Sequence, residues 1–168
     1  MLKVIGQLSW TDWGWLCIVV YVGWYINMLL HEFGHFVVAK FYLSLHVTEL
    51  EVGQYITLYD TTHSGTRFVI RAIINPFSAQ KVRIAPTSEG TLQLALKKGI
   101  LLFAAGILVN MVIALVTFTV GFYAGNMFLL IVSYLSVCIG IGEMIPIRGT
   151  DGWFILNALR LRKVCLRS

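Results

Sequence analysis

The hydrophobic positions of this chain fall into three long runs, with an alternating stretch between the first and the second. The first run covers about 13–43 and carries no charge from Trp13 to Leu30. The second, GILLFAAGILVNMVIALVTFTVG at 99–121, has no charged residue, and the third, about 127–147, has one, Glu143. Each comes close to the roughly 20 residues that a helix needs to cross a bilayer. In the alternating stretch, VTELEVGQYITLYD and TRFVIRAII are rich in β-branched and aromatic residues and flank the turn signal TTHSG. Asn75-Pro76-Phe77 closes the second of these segments, and KVRIA adds a short further strand. The final segment, about 152–166, mixes large apolar residues with Arg160, Arg162 and Lys163 and reads as an interfacial amphipathic helix. The pattern predicts an α-helical membrane protein. It has three transmembrane helices, a small β-hairpin or sheet over about 47–85 between helices one and two, and a C-terminal interfacial helix. Residues 1–168 make a single membrane-embedded domain on this reading.

Composition agrees. Hydrophobic residues reach 58% and charged residues only 12%, with a mean hydropathy of +0.79. Soluble chains carry about 25% charge, and a water-facing surface cannot be built from half of that. The net charge of +5 is spread along the chain rather than gathered into a nucleic-acid patch, so no nucleic-acid partner is expected. The basic residues suit anionic headgroups instead. Arg67, Arg71, Lys81, Arg83, Lys97 and Lys98 lie between the first two runs, and Arg148, Arg160, Arg162, Lys163 and Arg167 follow the third. The turn at 122–126 has no basic residue. The positive-inside rule then places the N-terminus outside and both the long loop and the C-terminus inside. WTDWGW at 10–15 suits the aromatic belt of a membrane interface. Only Lys3 precedes the first run and no small-residue cleavage site follows it, so a retained helix is expected rather than a signal peptide. Cys17, Cys138 and Cys165 are too widely spaced for a metal pair and read as small hydrophobes.

The chemistry concentrates in HEFGH, residues 31–35, inside the first run. His31 and His35 stand at i and i+4, about 6 Å apart along one helix face, so both imidazoles can reach one metal ion. Glu32 can approach a water at that metal and act as its base, which is the zinc-hydrolase logic of H-E-x-x-H. Counted from Trp15, His31 lies about 24 Å along the helix, well inside a hydrocarbon core about 30 Å thick. Ionisable residues at that depth are costly and mark function. A catalytic zinc site needs a third protein ligand. His46, His63, Glu143 and Asp151 are the candidates. Pro146 breaks the third helix, and Gly149 and Gly152 flank Thr150-Asp151 with a flexible turn. That turn can aim Asp151 at the histidines; the alternative is that Asp151 simply caps the tail helix.

Three segments together resemble the site-2 protease family of intramembrane zinc metalloproteases. They are HEFGH, then AAGILVN at 104–110, which resembles the family's Gly-Pro-x-x-Asn at Gly106 and Asn110, and then IPIRGTDG at 145–152. The last resembles the family's Asn-x-x-Pro-x(4)-Asp-Gly at Pro146, Asp151 and Gly152. The resemblance covers most of 13–157. It implies a three-helix core that holds one zinc ion per chain through His31, His35 and Asp151, with Glu32 as base. It implies hydrolysis of a peptide bond in or near a substrate's transmembrane segment, with the β-hairpin pairing to the unwound substrate strand. Two positions depart from the family pattern: Ile107 replaces a Pro, and Glu143 replaces an Asn that helps hold substrate or transition state. Glu143 can donate a hydrogen bond as the acid, bind zinc in place of Asp151, or pair with Arg148. Asn110 either holds the scissile carbonyl or bonds helix to helix.

The function expected is therefore regulated intramembrane proteolysis of a single-span membrane protein or a signal-peptide-like substrate, with selection by the helices, the hairpin or a regulatory membrane partner. The cellular setting expected is a bacterial cytoplasmic membrane. The rival is an inactive relative that binds membrane peptides or partner proteins. A metal transporter is disfavoured because no second set of intramembrane ligands exists in the sequence.

Overall fold

The first helix, α1 (Trp10–Val37), opens on a capping box. Ser9 Oγ accepts the Asp12 N–H at 3.3 Å, and the Asp12 carboxylate accepts the Ser9 N–H at 2.9 Å. The computed structural model describes residues 9–73, 81–85 and 90–165, so the Asn75–Phe77 stop signal lies outside the described residues. At its far end α1 runs into a π-helical turn, Val38–Tyr42, in which the Leu43 N–H reaches back to the Val38 carbonyl at 2.9 Å. The second long helix, α2 (Gly90–Ala124), starts nine residues before the predicted 99. Gly125, at φ 61°, turns the chain into α3 (Met127–Met144), which Asn126 caps by accepting the Leu129 N–H at 3.2 Å. Helix α3 stops there because Ile145 precedes Pro146 and is forced to an extended ψ of 127°. Helix α4 (Asp151–Cys165) completes the chain. Trp10–Tyr42, Lys98–Ala124 and Met127–Met144 are each long and apolar enough to cross a membrane, which makes this an integral membrane protein.

Between α1 and α2 lies a four-stranded sheet in the order β2-β3-β1-β4, built from β1 (Val47–Val52), β2 (Gln54–His63), β3 (Thr66–Ile73) and β4 (Lys81–Ile84). The TTHSG signal forms the β2–β3 hairpin, with Ser64 at φ 50° and Gly65 at φ 78° as its two turn residues. The run expected as one strand is two. Gly53, at φ 86°, breaks it so closely against the Arg71 carbonyl that no side chain fits. After this break β2 leaves β1, pairs antiparallel with β3, and β3 fills the space beside β1 in parallel register, Glu49 opposite Arg67. In β1, Leu50 and Val52 join the core with Met28, Phe36 and Ala39. The alternate residues, Glu49 and Glu51, take Arg83 at 3.3 Å and Arg71 at 2.5 Å on the opposite face.

The sheet is not confined to one end of the bundle. Tyr21 and Tyr25 of α1 donate to the carbonyls of Ala72 and Arg71 at 2.7 and 2.6 Å, while Lys40 donates to Thr66 Oγ1 at 3.1 Å. Strand β3 therefore runs back along α1. It reaches a level about 15 Å beyond His31, given 1.5 Å of rise per residue from Tyr21. Edge strand β2 turns Tyr55, Ile56, Leu58 and Tyr59 outward, each more than half exposed. The tail helix is held by stacking of Phe154 on Phe103 at 4.6 Å and by burial of Ala158. Leu159, Arg160, Leu161, Arg162 and Lys163 face outward.

Candidate metal centre

The polar residues of α1 form one buried stripe. Asn27, His31 and His35 recur every four residues, and Glu32 lies beside them; all four are less than 10% exposed. His31 Nε2 and His35 Nε2 are 3.1 Å apart. Asp151 Oδ2, from the start of α4, stands 3.2 Å from each. Three ligand-type atoms thus make a nearly equilateral triangle. The edge of a tetrahedron around zinc, with bonds of 2.0–2.1 Å, is about 3.3 Å. Asp151, which the sequence leaves between ligand and cap, meets the two imidazoles as the first residue of α4, while the cap is Thr150, whose Oγ1 accepts the Trp153 N–H at 3.3 Å. Glu32 contributes a carboxylate oxygen within 4.8 Å of the histidine nitrogens, and Glu143 one within 4.8 Å of His31 and Asp151. Among the described residues, His46 and His63 join neither group.

Hydrogen bonding fixes which nitrogens are free. His35 Nδ1 donates to the Leu102 carbonyl at 2.8 Å, which leaves the Nε2 lone pair directed at Asp151. The Asn110 carboxamide lies 3.0 Å from His31 Nδ1. The atom placed there is Nδ2, and Oδ1 has no partner among the described residues. Exchanging the two, which the shape of the amide allows, lets Oδ1 accept from Nδ1–H and orient His31 in the same way, and a protein partner behind each metal-binding imidazole is the usual arrangement. Asn110 thus meets a histidine. Asp151 Oδ2 is buried and has no hydrogen-bond partner among the described residues. A buried carboxylate oxygen facing two imidazole lone pairs is repulsive by itself and is resolved by a cation at the centre. The donor set, two imidazoles and a carboxylate, suits zinc.

Close approach of the helices makes this geometry possible. A Cβ on Gly106 would lie 2.5 Å from His31 Cε1 and His35 Nε2, so α2 presses its bare backbone against both rings. A Cβ on Gly34 would lie 2.7 Å from Val109 Cγ2, so the small residue inside HEFGH lets the same two helices meet. Sequence reasoning missed the Leu102 carbonyl, because any residue supplies one, and the Asn27–Ser136 contact. Ser136 Oγ donates to Asn27 Oδ1, and Asn27 Nδ2 donates to Gly23 O at 2.8 Å, joining α1 to α3 one turn beyond His31. The available signal was a small polar residue in each of two apolar runs of bilayer length, Asn27 in the first and Ser136 in the third.

Residues 19–128 match the sequence profile of Peptidase family M50. No curated protein matches the chain.

Proposed function

The chain belongs to peptidase family M50, the site-2 proteases, and from that membership we propose that it is an intramembrane zinc metalloprotease. On this reading it hydrolyses a peptide bond in or beside the transmembrane segment of a single-span protein or signal-peptide-like substrate. The observation that carries the reading is the buried triangle of His31 Nε2, His35 Nε2 and Asp151 Oδ2 with Glu32 at its side. His31, His35 and Asp151 would hold one zinc ion per chain. Zinc, when bound, supplies a Lewis acid that polarises a carbonyl and acidifies water at neutral pH. Glu32 takes the proton of the attacking water on its carboxylate and returns it to the departing amine nitrogen. Asn110 keeps the His31 ring in register through Nδ1. Low exposure around these groups excludes bulk water and strengthens each electrostatic contact.

A helical substrate shields its peptide bonds, so the scissile segment must unwind and its freed N–H and C=O groups must find partners. Strand β2 suits that need. It is a sheet edge among the described residues, ten residues long, with exposed apolar side chains, and it pairs with β3, which accepts from Tyr21 and Tyr25 of α1. An extended substrate strand adds to it by main-chain hydrogen bonds. The distribution of basic residues supports an orientation with the N-terminus outside and C-terminus inside a bacterial cytoplasmic membrane. A regulatory membrane partner would contribute to substrate selection.

Glu32→Gln tests the mechanism, with the full chain in membranes and a co-expressed single-span substrate. The variant is expected to keep about one zinc per chain and to lose cleavage by about 10²–10⁴-fold, the usual contribution of general acid–base catalysis. Cleavage at the wild-type rate would sink the assignment. Wild-type protein purified without zinc would instead favour the inactive peptide-binding relative, although such a protein has no need of a carboxylate as deeply buried as Glu32.

A further inference from the structure

Asp151 is the ligand-type residue least constrained by its own element. His31 and His35 are fixed by the register of a 28-residue helix, whereas Asp151 follows six residues of turn after α3 ends. Something must hold it to within the few tenths of an ångström that a metal site tolerates. Three contacts around it converge. The Glu143 carboxylate folds forward from the last turn of α3, and its Oε2 accepts the Asp151 N–H at 3.3 Å. Thr150 Oγ1 accepts the Trp153 N–H at 3.3 Å and so caps α4. Gly152 lies so close to the end of α3 that a Cβ would meet the Glu143 carbonyl at 3.0 Å and the Met144 carbonyl more tightly still.

We propose that Glu143 is a positioning residue for the metal centre, holding the backbone of Asp151 by accepting its N–H. The inference rests on the zinc reading above. The Asp151 N–H is one of the orphan donors at the start of a helix, and a carboxylate is a strong partner for it. Glutamate reaches that N–H across the corner between α3 and α4 while Gly152 keeps the two helices in contact. The side chain that stands where the family pattern has Asn thus bonds the ligand's backbone, with its carboxylate within 4.8 Å of the ligand atoms of His31 and Asp151.

The test compares zinc affinity, by chelator competition, and the visible spectrum of the cobalt-substituted protein in wild type, Glu143→Ala and Glu143→Gln. Glutamine retains an acceptor oxygen of the same reach. Glu143→Ala is expected to bind zinc about 10–100-fold more weakly, the usual effect of losing a partner behind a metal ligand, and to show an altered cobalt spectrum. Glu143→Gln is expected to restore the wild-type spectrum and most of the affinity. Alanine with wild-type affinity and spectrum overturns the proposal. So does glutamine that is as damaging as alanine, because then the charge, acting on the metal itself, is what matters. A wild-type protein that binds no zinc defeats the protease reading, whereas a zinc-binding wild type with an unaffected alanine variant defeats the role of Glu143 alone.

Discussion

Gly106→Ala puts the packing of the site to its sharpest test. The added Cβ would sit 2.5 Å from His31 Cε1 and from His35 Nε2, and 2.6 Å from His31 Nε2. Carbon and nitrogen atoms rest at about 3.5 Å, so something must move by about 1 Å. Neither ring can retreat cheaply. His31 is backed by Asn110 at 3.0 Å and His35 by the Leu102 carbonyl at 2.8 Å. If the rings move, the triangle of ligand atoms opens by several times the ±0.2 Å that a metal site allows. If α2 moves instead, it drags Asn110 and Leu102, the partners that orient both rings. Overpacking of this kind costs about 1–3 kcal/mol of stability, and loss of ring orientation costs a further 10–100-fold in metal affinity. The measurements are zinc affinity by chelator competition and thermal melting in detergent. Gly142→Ala serves as control, because nothing lies within 4 Å of its added methyl, and it should melt and bind zinc like wild type. A Gly106→Ala protein with wild-type zinc affinity would refute the claim that α2 presses on the two histidines.

Two further outcomes follow from the same contacts. Removing zinc with a chelator should lower the melting temperature and restoring zinc should recover it, since the ion relieves the repulsion within the triangle; at 1,000 times the Kd the linkage term is about 4 kcal/mol. Identical melting with and without zinc would argue against a metal at Asp151. Asn27→Ala should destabilise the bundle by about 0.6 kcal/mol, the usual worth of an interhelical hydrogen bond in a membrane, because the Ser136 hydroxyl can fall back on the Val132 carbonyl at 2.9 Å; adding Ser136→Ala to it should cost little more, and additive losses in unfolding titrations would deny the pair.

Much of this could be read from the sequence because its signals are local. Apolar runs of bilayer length mark the spans, TTHSG marks a hairpin turn, Pro146 stops a helix, and the i, i+4 spacing of His31 and His35 specifies a shared face. The parts that could not be read depend on contacts between distant segments. Nothing in VTELEVGQYITLYD announces that β1 pairs in parallel with β3, since that register follows from where Gly53 breaks the chain and from which faces cover Met28 and Phe36. Asn110 looks alike in sequence whether it meets a substrate carbonyl or His31 Nδ1, because its one-turn offset from Gly106 permits either. The role of Glu143 depends on a side chain reaching forward across a turn whose shape Pro146 and Gly152 set jointly.

The division of labour within the centre has a physical logic. Helix α1 supplies both imidazoles and the Glu32 carboxylate, and its backbone hydrogen bonds fix their spacing without further support. Helix α2 supplies no metal-facing atom. It supplies closeness, through Gly106 and Gly34, and orientation, through Asn110 and the Leu102 carbonyl. The remaining ligand cannot come from the same helix as the histidines, since a third residue one turn further along would point past the ion rather than at it. It has to arrive from another element, and a chain end entering from a broken helix is free to approach at the required angle. That freedom is also a weakness, because a ligand on a turn is held less well than one on a helix. The cap on Thr150, the glycine at 152 and the carboxylate of Glu143 all fall within the ten residues from Glu143 to Gly152 and all restrain Asp151. Restraint is concentrated where the backbone alone provides least of it.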